Sequence, residues 1–241
     1  SMMLSVPLST LLGLEGLFWL TAALALVGIV LVLTVPAVPR PAESSSDGEP
    51  TSMRPIWLLA FSVFLLHAAM TLLFVCFPPM LVETFGLGLP QHWKLYVPAM
   101  LLSALIMFPI LRKAGSSFSE QRLMPGAFAA LGLSMGLLPF GFGYLALGVL
   151  LTVYFLGFSL LESAMPALLA RLSGSRGRGR RMGVYSTFQF LGAFWGAVTG
   201  GSLLARYGSG TALLFAGVVC LLWGGLLAGV SKRFFPTGES A

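Results

Sequence analysis

Charge is what this sequence has least of. Only 9% of its 241 residues are Asp, Glu, Lys or Arg, against about 25% in an ordinary soluble domain. So little charge cannot cover a water-facing surface, which excludes a conventional soluble enzyme or adaptor. Cysteine is almost missing as well. The two present, Cys76 and Cys220, lie inside apolar runs, which excludes a disulfide framework and a cysteine-rich metal site. Histidine is limited to His67 and His92. No group of residues has metal-ligand spacing and no glycine loop is built to cradle phosphate, so neither a metal nor a cofactor is expected.

Hydrocarbon fills the gap. Hydrophobic residues make up 57% of the chain and its mean hydropathy is +0.92, which points to the bilayer as solvent. Seven apolar runs reach a crossing length of about 20 residues: 14–36, 56–82, 93–111, 123–142, 144–170, 182–205 and 211–231. Helices are the only reading, because an open strand would leave backbone groups unpaired in lipid. The expectation is an all-α integral membrane protein with seven transmembrane helices. Gly141 and Gly143 mark a tight turn between the fourth and fifth.

The scarce charge is not evenly spread. Segments 37–55, 112–122, 171–181 and 231–241 hold twelve of the 14 Lys and Arg residues, and the alternate connections hold only Lys94 and Arg206. All four basic segments fall on one side of a seven-span zigzag. That side is cytoplasmic by the positive-inside rule, which puts the C-terminus in the cytoplasm. The run Arg171, Arg176, Arg178, Arg180 and Arg181 reads as an anchor to anionic headgroups. It has no interleaved aromatic residue for base stacking, so nucleic acid is not an expected partner.

Three domains follow. Residues 1–36 hold a short apolar stretch, 4–12, and one transmembrane helix; residues 37–55, rich in Pro, Ser and acids, read as a disordered cytoplasmic linker; residues 56–241 form a six-helix unit. Nine apolar residues cannot cross a bilayer. Residues 4–12 therefore read as the end of a helix that begins upstream, and the chain as a piece of a longer protein.

The stretch LGFSLLESAMPALLARL at 156–172 and GVYSTFQFLGAFWGAVTGG at 183–201, with the one-plus-linker-plus-six plan, resembles the C-terminal half of the major facilitator superfamily. It is closest in character to the YajR-like branch of drug-efflux transporters. The resemblance implies helices six to twelve of a twelve-helix transporter with its central cytoplasmic linker. It also implies location in the bacterial inner (plasma) membrane and an amino-terminal half, or a second copy, as partner. The implied activity is proton-coupled efflux of a small hydrophobic substrate. The alternative is a non-transporting membrane interaction protein built on the same half-fold. The family's Gly-Asp-Arg-Gly loop has only a faint echo at LRKAGSSFSEQR, 111–122, without its Asp.

A few polar side chains stand inside the runs, and such groups are expensive in lipid. Glu162 lies nine residues before Arg171, roughly 13 Å along the helix, in the cytoplasmic half of its span. Pro166 has no N–H to return to the Glu162 carbonyl, so Gly157 and Pro166 bracket a candidate helix joint. A protonatable gate and a buried structural hydrogen bond are both open readings of Glu162. His67 sits near the centre of its span with Thr71 one turn on, and imidazole changes charge near neutral pH. Tyr185 and Gln189 share a face four residues apart. The pathway or proton-coupling candidates are thus His67, Thr71, Glu162, Tyr185 and Gln189. The implied transporter plan also runs helices seven and ten, which carry His67 and Glu162, along the pathway. Gly192, Gly196 and Gly200 form a GxxxGxxxG ladder suited to close helix packing.

No catalytic residue is expected. Gly132-Leu-Ser134-Met-Gly136 matches GxSxG, but a membrane serine protease needs a histidine after the serine, and both histidines precede it. A retinal protein would need a lysine in the last span, and 211–231 has none.

Overall fold

The computed structural model describes residues 2–34, 53–114, 120–173 and 177–234, and these are helical apart from short turns. The helices are α1 (Met2–Thr34), α2 (Arg54–Phe85), α3 (Trp93–Ala114), α4 (Glu120–Leu137), α5 (Tyr144–Leu172) and α6 (Arg178–Phe234). The chain divides into two compact units, residues 1–50 and 51–241. The expected linker falls almost wholly at 35–52, outside the described residues. In the first unit, α1 leaves helical geometry at Gly13, with φ 66 and ψ 179. That is where the sequence separates residues 4–12 from the longer run.

Five helical runs of the second unit are long and apolar enough to cross a membrane. Local chemistry sets their ends. Pro55 opens α2, where a missing N–H costs nothing. Gly86 closes it in the left-handed conformation, with its N–H 3.2 Å from the Val82 carbonyl and the Leu87 N–H 3.0 Å from that of Leu81. The fourth run ends earlier than its apolar length implies. Pro139 disfavours the α conformation at the residue before it, so α4 stops at Leu137 and a 3-10 turn, Leu138–Phe140, follows. Gly141 and Gly143, with φ of 66 and 93, make the turn into α5.

The sixth and seventh runs are joined more tightly than the sequence implies, in one 57-residue helical stretch. Straight, it would be about 85 Å long, nearly three bilayer cores. It is not straight. Gly208 departs to φ 81 and ψ 168, and the packing on either side shows that the chain reverses there. Gly192, Gly196 and Gly200 meet Phe64, Ala68 and Leu72 in turn, so the first arm runs parallel to α2. Trp223 then donates its indole N–H to the Ser62 hydroxyl at 3.1 Å, so the second arm runs back along it.

Close glycine contacts hold these elements together. A Cβ on Gly192 would collide with the carbonyl oxygen of Phe64, and one on Gly196 with that of Ala68. A second glycine set joins α4 to the second arm of α6. A Cβ on Gly132 would lie 2.7 Å from the Gly217 carbonyl oxygen, and one on Gly217 the same distance from the Gly136 nitrogen. This gives the GxSxG match a structural reason. Its glycines bring backbones together, and the Ser134 hydroxyl is spent on the Ala130 carbonyl at 2.6 Å. The packing also has an internal symmetry. α2 packs on both arms of α6, and α5 packs on α3 and α4. The first helix of each group of three, α2 and α5, therefore lies against the later two of the other.

The arginine run has partners within the protein. Arg181 donates to the Ser173 carbonyl at 2.6 Å and to that of Leu172 at 3.3 Å, and Arg178 reaches the Ala170 carbonyl at 3.4 Å. These are carbonyls at the end of α5, which lack helical partners and carry the negative end of its dipole. The start of α6 is thereby strapped to the end of α5. Arg181→Ala is expected to lower the melting temperature in detergent by about 2–4 °C, the effect of about 1 kcal/mol in a chain of this size. Arg180→Ala, at an exposed position, serves as the control. Equal melting of the two variants would show the strap to be idle.

Candidate functional site

His67 is the centre of the one polar cluster that joins three helices among the described residues. It is 7% exposed and faces the interior from α2. Its Nδ1 lies 3.1 Å from the Val63 carbonyl one turn back, which can only accept, so Nδ1 carries the proton. Nε2 is left with a lone pair. The side-chain amide of Gln189, from the first arm of α6, donates to it with Nε2···Nε2 at 2.9 Å. Glu162 of α5 approaches the same nitrogen, with Oε2 at 3.7 Å. That distance suits an ion pair with a protonated imidazole but exceeds a hydrogen bond.

Glu162 is divided between two environments. Its side chain is 40% exposed, yet Oε2 is buried and has no hydrogen-bond partner. Tyr185, one turn before Gln189, is also buried with an unpartnered hydroxyl, within electrostatic reach of Glu162. Thr71 is on the expected face, but its hydroxyl is spent on the His67 carbonyl at 2.9 Å. Four of the five polar candidates thus converge with free side-chain chemistry, and Thr71 lies beside them without it. Gly157 sits at a close approach, where a Cβ would be 2.9 Å from the Ala127 carbonyl oxygen of α4. α5 is helical through both Gly157 and Pro166.

The residues alone did not announce an aromatic wall beside this cluster. The Phe158 ring meets the imidazole edge to face at 6.0 Å and 62°, and Tyr154 stacks on Phe158 at 6.4 Å and 16°. Tyr96 of α3 contacts Phe74, Phe77 and Phe155. The spacing was there to find, since Tyr154, Phe158 and Glu162 recur every four residues on one face of α5. These rings exclude water from one side of His67, which strengthens its charge interactions.

The arrangement can hold or pass a proton at one defined atom, His67 Nε2, with a carboxylate close by. It offers no nucleophile aligned with a base. On another face of α2 lies an apolar crevice of about 270 Å³ against both arms of α6, bordered by Phe64, Ala68, Trp195 and Phe215. No Asp, Glu, Lys, Arg or His lines it. Among the described residues no group of three His, Cys, Asp or Glu side chains could hold a metal.

Comparison with known proteins identifies the family. The family model described as Major Facilitator Superfamily matches residues 1–196. The inner membrane transport protein YajR of Escherichia coli (strain K12) is 28% identical over 243 residues, covering 92% of this chain and 51% of that protein. An uncharacterized transporter of Buchnera aphidicola (subsp. Baizongia pistaciae) is 30% identical over 175 residues, with 71% of this chain and 44% of that one covered. The multidrug resistance protein MdtH of Proteus mirabilis is 35% identical over 138 residues, covering 55% and 32%. The chain spans about half the length of the curated relatives it matches.

Proposed function

This chain belongs to the major facilitator superfamily, and on that premise we propose that it is the carboxy-terminal part of a proton-coupled secondary transporter exporting small hydrophobic compounds. The observation that carries proton coupling is the approach of Glu162 to His67 at 3.7 Å, an acid and a base from two different helices inside the bundle. Charged groups at this depth are costly unless they work. Gln189 and Tyr185 border the pair. Gly157 and Pro166 let the Glu162 segment of α5 bend between states. An apolar cargo fits the relatives, one called an inner membrane transport protein and one a multidrug resistance protein.

In this reading the chain crosses the bilayer seven times: once in α1, once in each of α2 to α5, and once in each arm of α6. The basic segments set its C-terminus in the cytoplasm. Transport by alternating access needs two halves rocking about a shared site, so the chain works with an amino-terminal half or a second copy. The alternative of a non-transporting interaction protein has no observation in its favour.

Everted membrane vesicles test the proposal. Vesicles holding the chain together with an amino-terminal half should accumulate a lipophilic dye when a proton gradient is imposed, and an uncoupler should abolish this. Accumulation by the chain alone would mean that a second copy takes the place of that half. A protease added outside, on the former cytoplasmic face, should remove a C-terminal tag. Accumulation that survives the uncoupler would overturn proton coupling, and a protected tag would overturn the orientation.

A further inference from the structure

His67 Nε2 faces two side chains that want opposite things from it. The Gln189 amide N–H needs a lone pair there, and the Glu162 carboxylate needs a proton there. Nδ1 cannot relieve the conflict, because it is committed to the Val63 carbonyl at 3.1 Å. We propose that Gln189 is a positioning residue that holds His67 neutral, and that protonation of Nε2 exchanges Gln189 for Glu162 as its partner. The inference rests on the proton-coupled reading above and names the atoms through which it acts.

The step balances simply. A proton from the aqueous phase adds to the Nε2 lone pair. The Gln189 N–H then confronts another N–H, and its hydrogen bond is lost. Once Gln189 has withdrawn, the unpartnered Oε2 of Glu162 swings in to accept the new Nε2–H. A charge-assisted N–H···O bond is about 2.8 Å long, so the 3.7 Å separation must close by about 0.9 Å. Neutral His67 thus ties α2 to α6, and protonated His67 ties α2 to α5. Sub-ångström closures of this kind bias packed helices between discrete arrangements.

The surroundings favour this assignment. On the elements packed against α2 here, the titratable groups are Glu162 and Tyr154 of α5, Tyr185 and Cys220 of α6 and Tyr96 of α3. The phenols and the thiol are neutral wherever imidazole titrates. The arginines of α5 and α6 lie toward helix ends or beside the Gly208 reversal, at Arg171, Arg178, Arg180, Arg181, Arg206 and Arg233. Glu162 is therefore the one ionic partner at this nitrogen among the described residues.

Nitrogen-15 NMR of the full 241-residue chain in bilayers, labelled at His, Gln and Glu, tests the exchange without any transport assay; His92→Gln serves only to assign the second imidazole. At alkaline pH, His67 should carry its proton on Nδ1, with Nε2 at the shift of a hydrogen-bonded acceptor. Gln189→Leu, at the same alkaline pH, should move Nε2 to the free-acceptor position. On acidification of the parent, the dipolar contact from Nε2 to the Glu162 carboxyl carbon should strengthen while that to the Gln189 amide is lost. Glu162→Gln should remove the first change. A proton found on Nε2 at alkaline pH, or a Gln189 contact that survives protonation, would overturn the proposal. If the exchange occurs but vesicles move no dye, the transport reading fails and the switch stands; working transport without the exchange fails only the switch.

Discussion

Gly196→Leu should be among the most damaging single changes in the second unit, lowering the detergent melting temperature by about 10 °C or preventing accumulation of the chain. The first atom of the new side chain would already overlap the carbonyl oxygen of Ala68, before the rest of the leucine is placed. Overpacking in a tight core costs about 1–3 kcal/mol, and a clash with backbone has no rotamer to escape into. About 3 kcal/mol corresponds to roughly 6–12 °C in a chain of this size. Helix propensity works the other way, since leucine is the better helix former by about 1 kcal/mol. Gly201 makes the comparison fair. It lies on the same helix, and a Cβ there meets nothing within 4 Å. Gly201→Leu should melt at or slightly above the parent temperature. Equal losses from both variants would mean that the helix tolerates no bulk anywhere, and that the ladder is not special.

Glu162→Gln should stop transport while leaving substrate binding largely intact, measured in the assembled transporter that contains this chain. A proton can bias two conformations only through an interaction that differs between them. Here that interaction is the carboxylate against His67, and glutamine keeps its size while removing the charge. A charged hydrogen bond is worth about 1.5–3 kcal/mol, and the 40% exposure of Glu162 argues for the lower end. The conformational equilibrium should therefore move by about tenfold. A purely structural Glu162 predicts another pattern, in which the glutamine variant transports normally and Glu162→Leu folds poorly. Uptake and binding measured on both variants separate the two, and normal uptake by Glu162→Gln would end the gating idea.

The spans were largely legible because lipid allows so few solutions. A crossing length of apolar residues, bounded by Gly, Pro or charge, leaves only a helix, and the five long apolar helical runs lie where hydropathy placed them. The reversal at 206–210 was legible as a gap between runs, but its brevity was not, because one glycine with positive φ leaves no mark in hydropathy. Polar residues inside the spans could be singled out one at a time. Their meeting could not, since His67 and Gln189 are 122 positions apart and nothing in one sequence pairs them. The glycines divide in the same way. The 192–196–200 ladder declares itself by spacing. Gly132 and Gly217 become meaningful only once their helices are seen side by side. Helix-end carbonyls are invisible to sequence, so the arginines that cap α5 read only as a charge run.

The single-residue reversal at Gly208 has a mechanical consequence. With Ser209 already buried and helix resuming at once, there is no slack between the two arms of α6. A tag, epitope or protease site inserted there would have to unwind helix to fit, unlike one placed in an ordinary surface loop. The arms cannot slide past one another or turn independently at that end. The two arms lie along α2 like the tines of a fork joined at one residue. A displacement felt by Gln189 on one tine is therefore delivered to the other, and through Gly217 to α4, without passing through any flexible segment.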